Sequence, residues 1–95
     1  MEMQYVIVRT YSAGVHAGFL KSRNGKEVEL VNTRRIWFWN GAASLSELAL
    51  RGAKHPEKCK FPEAIESIIL TEAIEIIPCT PEAQKMIQEC PAWKA

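Results

Sequence analysis

Two arginines and three large aromatic residues stand within six consecutive positions, Arg34-Arg35-Ile36-Trp37-Phe38-Trp39. Together these types suit the binding of something flat and anionic. An indole face stacks on a nucleobase for about 1–3 kcal/mol per base, and a guanidinium takes a phosphate through its bidentate fork. Aromatic and β-branched residues favour a pleated surface, so the stretch reads as a strand. Alternation then places Arg35, Trp37 and Trp39 on one face and Arg34, Ile36 and Phe38 on the other. Ile36 and Phe38 suit a core. Trp37 and Trp39 make a platform with a cation at its edge, and only one of the arginines can share their face. The same residues have a second use: Trp and Arg are favoured anchors at protein contacts.

A second candidate is Tyr11-Ser12-Ala13-Gly14-Val15-His16. A turn containing Ser and Gly can present backbone amides to an anion as a concave nest. Tyr11 could stack beside it and His16 could donate a hydrogen bond. The plainer reading is a hairpin turn with a surface histidine.

Other chemistry finds little support. Only His16 and His55 are present and Asp is absent, so a Ser-His-Asp triad cannot be built. Glu72 and Glu75 fall on opposite faces of a strand. No Gly-x-x-x-x-Gly-Lys phosphate loop occurs. Cys59, Cys79 and Cys90 lack a metal-type pair spacing, and His55 with Cys59 is one weak ligand pair wanting a third. No enzyme activity, cofactor or metal is expected, and the thiols are expected free.

Composition narrows the partners. At 95 residues the chain is one domain, 1–95, with 47% hydrophobic and 24% charged residues. A net charge of +1 gives no general footprint for a DNA or RNA duplex, so any basic site must be local. No apolar run approaches the roughly 18 residues of a membrane span. Glu2 followed by a strand pattern gives no secretory signal, so a cytoplasmic protein is expected.

The elements that must position these residues follow from periodicity. Gln4 to Tyr11 reads as a strand, apolar on both faces at Tyr5-Val6-Ile7-Val8. Ser12-Ala13-Gly14 is a turn. Val15 to Ser22 is the next strand, in which Gly18 marks a bulge or a close approach. Asn24-Gly25 predicts a type I′ hairpin turn. Glu27 to Asn32 is a third strand, joined through Asn32-Thr33 to the Arg/Trp strand as a fourth. Ser44-x-x-Glu47 is a capping box opening a helix to about Arg51, with Gly52 as its stop. Ala53 to Ala64 reads as an exposed lysine-bearing loop. Ile65 to Pro78 reads as a strand broken near Thr71-Glu72. Thr80-Pro81-Glu82 opens a last helix that ends near Cys90-Pro91, followed by a tail with Trp93. The fold class is therefore α+β: an antiparallel sheet of about five strands with two short helices.

Arg9 to Gly18, Gly25-Lys26-Glu27-Val28, Arg34 to Ala42 and Leu70 to Pro78 also carry a likeness. Across Tyr5 to Pro78 the chain resembles a family of short phage-encoded proteins long described as a domain of unknown function, and is similar to phage anti-CBASS sponge proteins. That resemblance implies a homo-oligomer in the host cytoplasm that sequesters a cyclic dinucleotide such as cyclic GMP–AMP without cleaving it. It assigns no individual contacts. On physical grounds the ligand-binding candidates are Tyr11, Ser12, Gly14, His16, Arg34, Arg35, Trp37 and Trp39. The alternative is a small phage interaction or assembly module anchored by Trp37, Trp39 and Trp93. A single-strand nucleic-acid binder would use the same strand, but near-zero net charge argues against it.

Overall fold

In the computed structural model, residues 3–94 are described; Glu2 and the tail's Ala95 lie outside them. Five strands form one antiparallel sheet: β1 (Tyr5–Thr10), β2 (Val15–Asn24), β3 (Glu27–Ile36), β4 (Ile65–Leu70) and β5 (Ala73–Pro78). Two helices accompany it, α1 (Leu45–Arg51) and α2 (Pro81–Glu89), with a single 3-10 turn at Pro56–Lys58. The α+β class with five strands and two short helices is the observed one. No helix among the described residues is long and apolar enough to cross a membrane.

The spatial order is β4-β3-β2-β1-β5. Thus β4 and β5 occupy opposite edges, although only Thr71 and Glu72 join them. In a flat sheet those edges would lie about 19 Å apart, whereas the link spans at most about 11 Å. The sheet must therefore curl until its edges nearly meet. A backbone bond crosses there: Ala73 N, at the start of β5, donates to Lys26 O in the β2–β3 turn at 3.0 Å. The expected single broken strand over Ile65–Pro78 is thus two strands serving two edges.

Curling creates two cores. Val6, Val8, Val28, Leu30 and Leu70 fill the concave side, with Leu20, Ile68, Ala73 and Ile76 packed against them. Tyr5, Ile7, Ala17 and Ile36 face outward onto the helices, meeting Leu48, Ala49, Phe61 and Ile87. This is why Tyr5-Val6-Ile7-Val8 is apolar on both faces. The helices are capped as their sequences require. Ser44 Oγ accepts from Glu47 N at 3.2 Å, and Thr80 Oγ1 accepts from Ala83 N at 3.1 Å. Thr80 also donates to Leu50 O at 2.7 Å, tying α2 to α1.

Three local expectations are corrected. The third and fourth strands are one strand, β3, kinked at Asn32, whose φ is +46°. Asn tolerates that left-handed conformation better than most residues. Pairing shifts by one residue here: Phe19 faces Val31, but Ala17 faces Arg34. Gly18 sits opposite the extra residue, and a Cβ on it would lie 2.7 Å from Thr33 Cβ. The hairpin turn is centred on Gly25-Lys26, since Asn24 pairs with Glu27. Positive φ falls there on Gly25 alone, the pattern of type II′ rather than I′. The stretch 53–64 is not simply an exposed loop. Ala53, Cys59 and Phe61 are buried in the outer core, while Lys54, Lys58 and Lys60 remain exposed.

Candidate functional site

The kink in β3 decides the fate of the paired arginines. With one residue inserted, Arg34 shares the helix-facing side with Ala17 and Ile36, and Arg35 shares the opposite side with His16 and Val8. Arg34 is 6% exposed. Its Nε donates to Pro62 O at 3.0 Å, its Nη1 to Ile87 O at 3.0 Å and Cys90 O at 2.8 Å, and its Nη2 to Phe61 O at 2.6 Å. Four of its five N–H groups are thereby engaged, and its guanidinium also lies 5.6 Å from the Phe61 ring centre. The expectation that Arg34 takes a phosphate is corrected: it caps the C-terminal carbonyls of α2 and pins the 61–62 segment to the sheet.

Arg35 is the accessible cation. It makes one hydrogen bond, Nη1 to Ala13 O at 3.1 Å, and among the described residues no carboxylate pairs with it. It borders a depression of about 380 Å³ shared with Ser12, Gly14, Trp37 and Trp39. Five of the eight candidates are thus brought together around one hollow.

The tryptophans do not form a flat strand platform. Regular pairing ends at Ile36, and the next residues peel off to meet Lys60, with Trp37 N donating to Lys60 O at 3.1 Å. Trp37 is 65% exposed. Trp39 is half-buried against the outer core, and its Nε1 donates to Ala42 O at 3.2 Å. They are two walls of one hollow, one open and one anchored. Phe38, expected in the core, is 46% exposed, because it pairs with Lys60 in an isolated bridge rather than facing the sheet. Lys60 Nζ lies 5.9 Å from the Phe38 ring and 5.4 Å from the Trp93 ring.

The Ser12–Gly14 turn is held from within. Thr10 Oγ1 donates to Gly14 O at 2.7 Å and accepts from Ala13 N at 2.8 Å. Gly14 has φ +84°. Among the described residues, the amides of Ser12 and Gly14 have no protein acceptor. The Ser12 hydroxyl is engaged, donating to Glu72 Oε1 at 2.8 Å. Glu72 thus sets a carboxylate next to a hollow whose other charge is positive. Tyr11 is 71% exposed beside this turn but does not line the hollow.

His16 is not a surface residue. It is 1% exposed, and its Nε2 lies 2.9 Å from Ala13 O, so Nε2 carries the proton it donates. Burial pushes its pKa below the ordinary histidine value, the bond to Ala13 opposes this, and Arg35 adds a smaller push downward. Sequence reading did not anticipate Glu72 beside Ser12, Ala13 O as the acceptor shared by His16 and Arg35, or the Phe38-Lys60-Trp93 cluster. The Ser12–Glu72 and Arg35–Ala13 contacts join segments far apart in the chain, and no local pattern announces them.

The cysteines and His55 lie apart from this hollow's lining. Cys59, Cys79 and Cys90 are free thiols. Burial pushes the Cys79 thiol up to about 12 and raises Cys90 as well. His55 pairs with Glu57 at 3.6 Å, and Cys59 Sγ contacts His55 O rather than its ring. Among the described residues no three metal-ligating side chains cluster.

One family model matches residues 3–87, the domain of unknown function DUF6948. No curated protein and no solved structure matches the chain. The match spans most of the sequence, so the chain belongs to the DUF6948 family.

Proposed function

We propose that this member of the DUF6948 family is a binding protein for a small anionic nucleotide, a cyclic dinucleotide, which it sequesters without cleaving. The observation that carries the reading is Arg35: an accessible, uncompensated cation at the rim of a hollow walled by two indoles and a turn with free amides. A base stacking on Trp37 would leave its phosphate within reach of the guanidinium and of the Ser12 and Gly14 amides. A cyclic dinucleotide carries two negative charges, so a site with one free cation and a few amides suits it better than a polymer would. His16 does not line this hollow, and its Nε2 proton is given to Ala13 O.

The wider role proposed with this activity is that of a phage immune-evasion sponge of the anti-CBASS kind, working in the host cytoplasm as a homo-oligomer. The free edge of β4 supports association. Ile65 is 52% and Ile69 59% exposed there, and long apolar edges invite pairing. Antiparallel self-pairing centred on Ser67 would set Ile65 opposite Ile69 of a second copy twice over, as a two-fold axis requires.

Calorimetry against a panel of cyclic di- and trinucleotides, at protein concentrations of tens of micromolar, tests the reading. Heat with at least one, and recovery of that ligand intact after denaturation, is the expected result. No heat with any of them removes it. The second reading is an interaction module. Phe38, exposed with Trp37 and Trp93 around Lys60, favours it, since such aromatic clusters anchor protein contacts. A partner captured equally well with and without nucleotide, and lost in Phe38→Ala, would select that reading.

A further inference from the structure

A second depression, of about 240 Å³, opens beside the first. Arg35 is the one residue that lines both. The second has apolar walls from Pro62, Ile65 and Ile68; Thr33 also lines it, its hydroxyl donated to Ala17 O, and two side chains there offer acceptors. His16 donates through Nε2 to Ala13 O, so its neutral ring offers only the Nδ1 lone pair. Among the described residues Nδ1 has no protein partner. This side chain, 99% removed from solvent, lines the depression with that lone pair unused. Glu63 supplies the other acceptor, an exposed carboxylate. Arg34 also borders the space, but its donors are held by main-chain carbonyls.

Acceptors with apolar walls fit a flat group that brings N–H donors. Among nucleobases, guanine presents the most donors on one edge, its N1–H and the N2 amino group, and a carboxylate can accept both side by side. Adenine offers one amino group and an unprotonated N1, which a carboxylate repels. Resting on the nucleotide reading above, we propose that this depression is a guanine subsite. A guanine-containing cyclic dinucleotide would straddle Arg35, with a phosphate on the guanidinium, one base against Trp37 and a guanine against Glu63 and His16. Burial that keeps His16 neutral preserves the acceptor the subsite needs.

Calorimetry of the full chain with cyclic di-GMP, cyclic GMP–AMP and cyclic di-AMP tests this. The first two are expected to bind at least about tenfold tighter than the third, and Glu63→Gln is expected to erase that preference without weakening cyclic di-AMP. In parallel, long-range proton–nitrogen spectra report the His16 Nδ1 shift on adding millimolar GMP; a shift is expected, with none from AMP. Equal affinity for all three ligands with an unmoved His16 Nδ1 overturns the subsite while the nucleotide reading stands. Absence of heat from every cyclic dinucleotide overturns that reading; the subsite then survives as a mononucleotide site if GMP moves His16, and falls if it does not.

Discussion

On the helix side of β3, Arg34 donates four hydrogen bonds to carbonyls of two different segments. One residue later, on the concave side, Arg35 donates one and meets no carboxylate among the described residues. The two guanidinium groups are chemically the same, yet one holds the fold and the other is free for a guest. Buried charge is tolerated at Arg34 because the cut ends of α2 and the 61–62 segment supply acceptors that would otherwise lack donors. Arg35 keeps most of its donors facing open space. A basic dipeptide thus says nothing by itself about binding; what matters is which carbonyls lie within reach.

The sharpest break of this comparison is in stability. Arg34→Met should destabilise the protein by roughly 3 kcal/mol or more, because several carbonyls each lose a donor at about 1–3 kcal/mol. Arg35→Met should stay within about 0.5 kcal/mol of the parent. Urea unfolding of both variants checks this, and equal losses would erase the distinction between the two sites.

Gly18→Ala comes next. Its new Cβ would meet Thr33 Cβ at 2.7 Å, with Thr33 already bonded to Ala17 O. A cost of about 1–3 kcal/mol is expected from overpacking, and because the kink sets which arginine faces where, ligand affinity should fall with it. Retained affinity in a destabilised Gly18→Ala protein would show that the kink holds the fold without orienting Arg35.

Binding reads the reverse order. Arg35→Ala and Trp37→Ala should each weaken nucleotide binding by roughly 10- to 100-fold with little change in the urea midpoint. Trp39→Ala should lose stability as well, since that ring packs on the outer core.

A smaller effect follows from His16. Its folded pKa is depressed, so between that value and the unfolded value near 6.5 the unfolded chain binds the additional proton. Stability should be full above about pH 6.5 and decline as pH falls through that window. Melting temperatures at pH 7.5 and pH 5 check it, with the decline reduced in His16→Gln.

The smallest change expected is a gain. Glu72→Gln removes a negative charge bonded to Ser12 beside the hollow, and anion affinity should rise by about two- to fivefold at low salt, fading as salt screens it. An unchanged affinity would place the bound phosphate away from the Ser12 turn.

Much of the frame was legible in the sequence. Apolar positions on both faces of Tyr5–Val8 announced a strand covered on two sides, and the two helices opened at Ser44 and Thr80 as their caps require. Gly18 announced a close approach, and Thr33 makes it. The candidate hollow was half legible: Ser12, Gly14, Arg35, Trp37 and Trp39 meet there. Arg34 and the flat Trp platform were misread, since each depends on a partner in a distant segment, Ile87 O and the Phe38–Lys60 bridge, and His16 was misplaced at the surface although strand pairing buries it.

The sequence by itself determined the repertoire: strands and helices from periodicity and caps, an anion-friendly set of side chains, and the lack of an Asp for a triad. Only the tertiary structure decided the assignment. Periodicity fixes that neighbouring arginines oppose each other, but not which side is the interior. That choice came from one additional residue at Asn32 and from a sheet that curls until Thr71 and Glu72 can join its edges. Both are set by packing between segments far apart in the chain, and the energy of those contacts appears only when the chain has closed on itself.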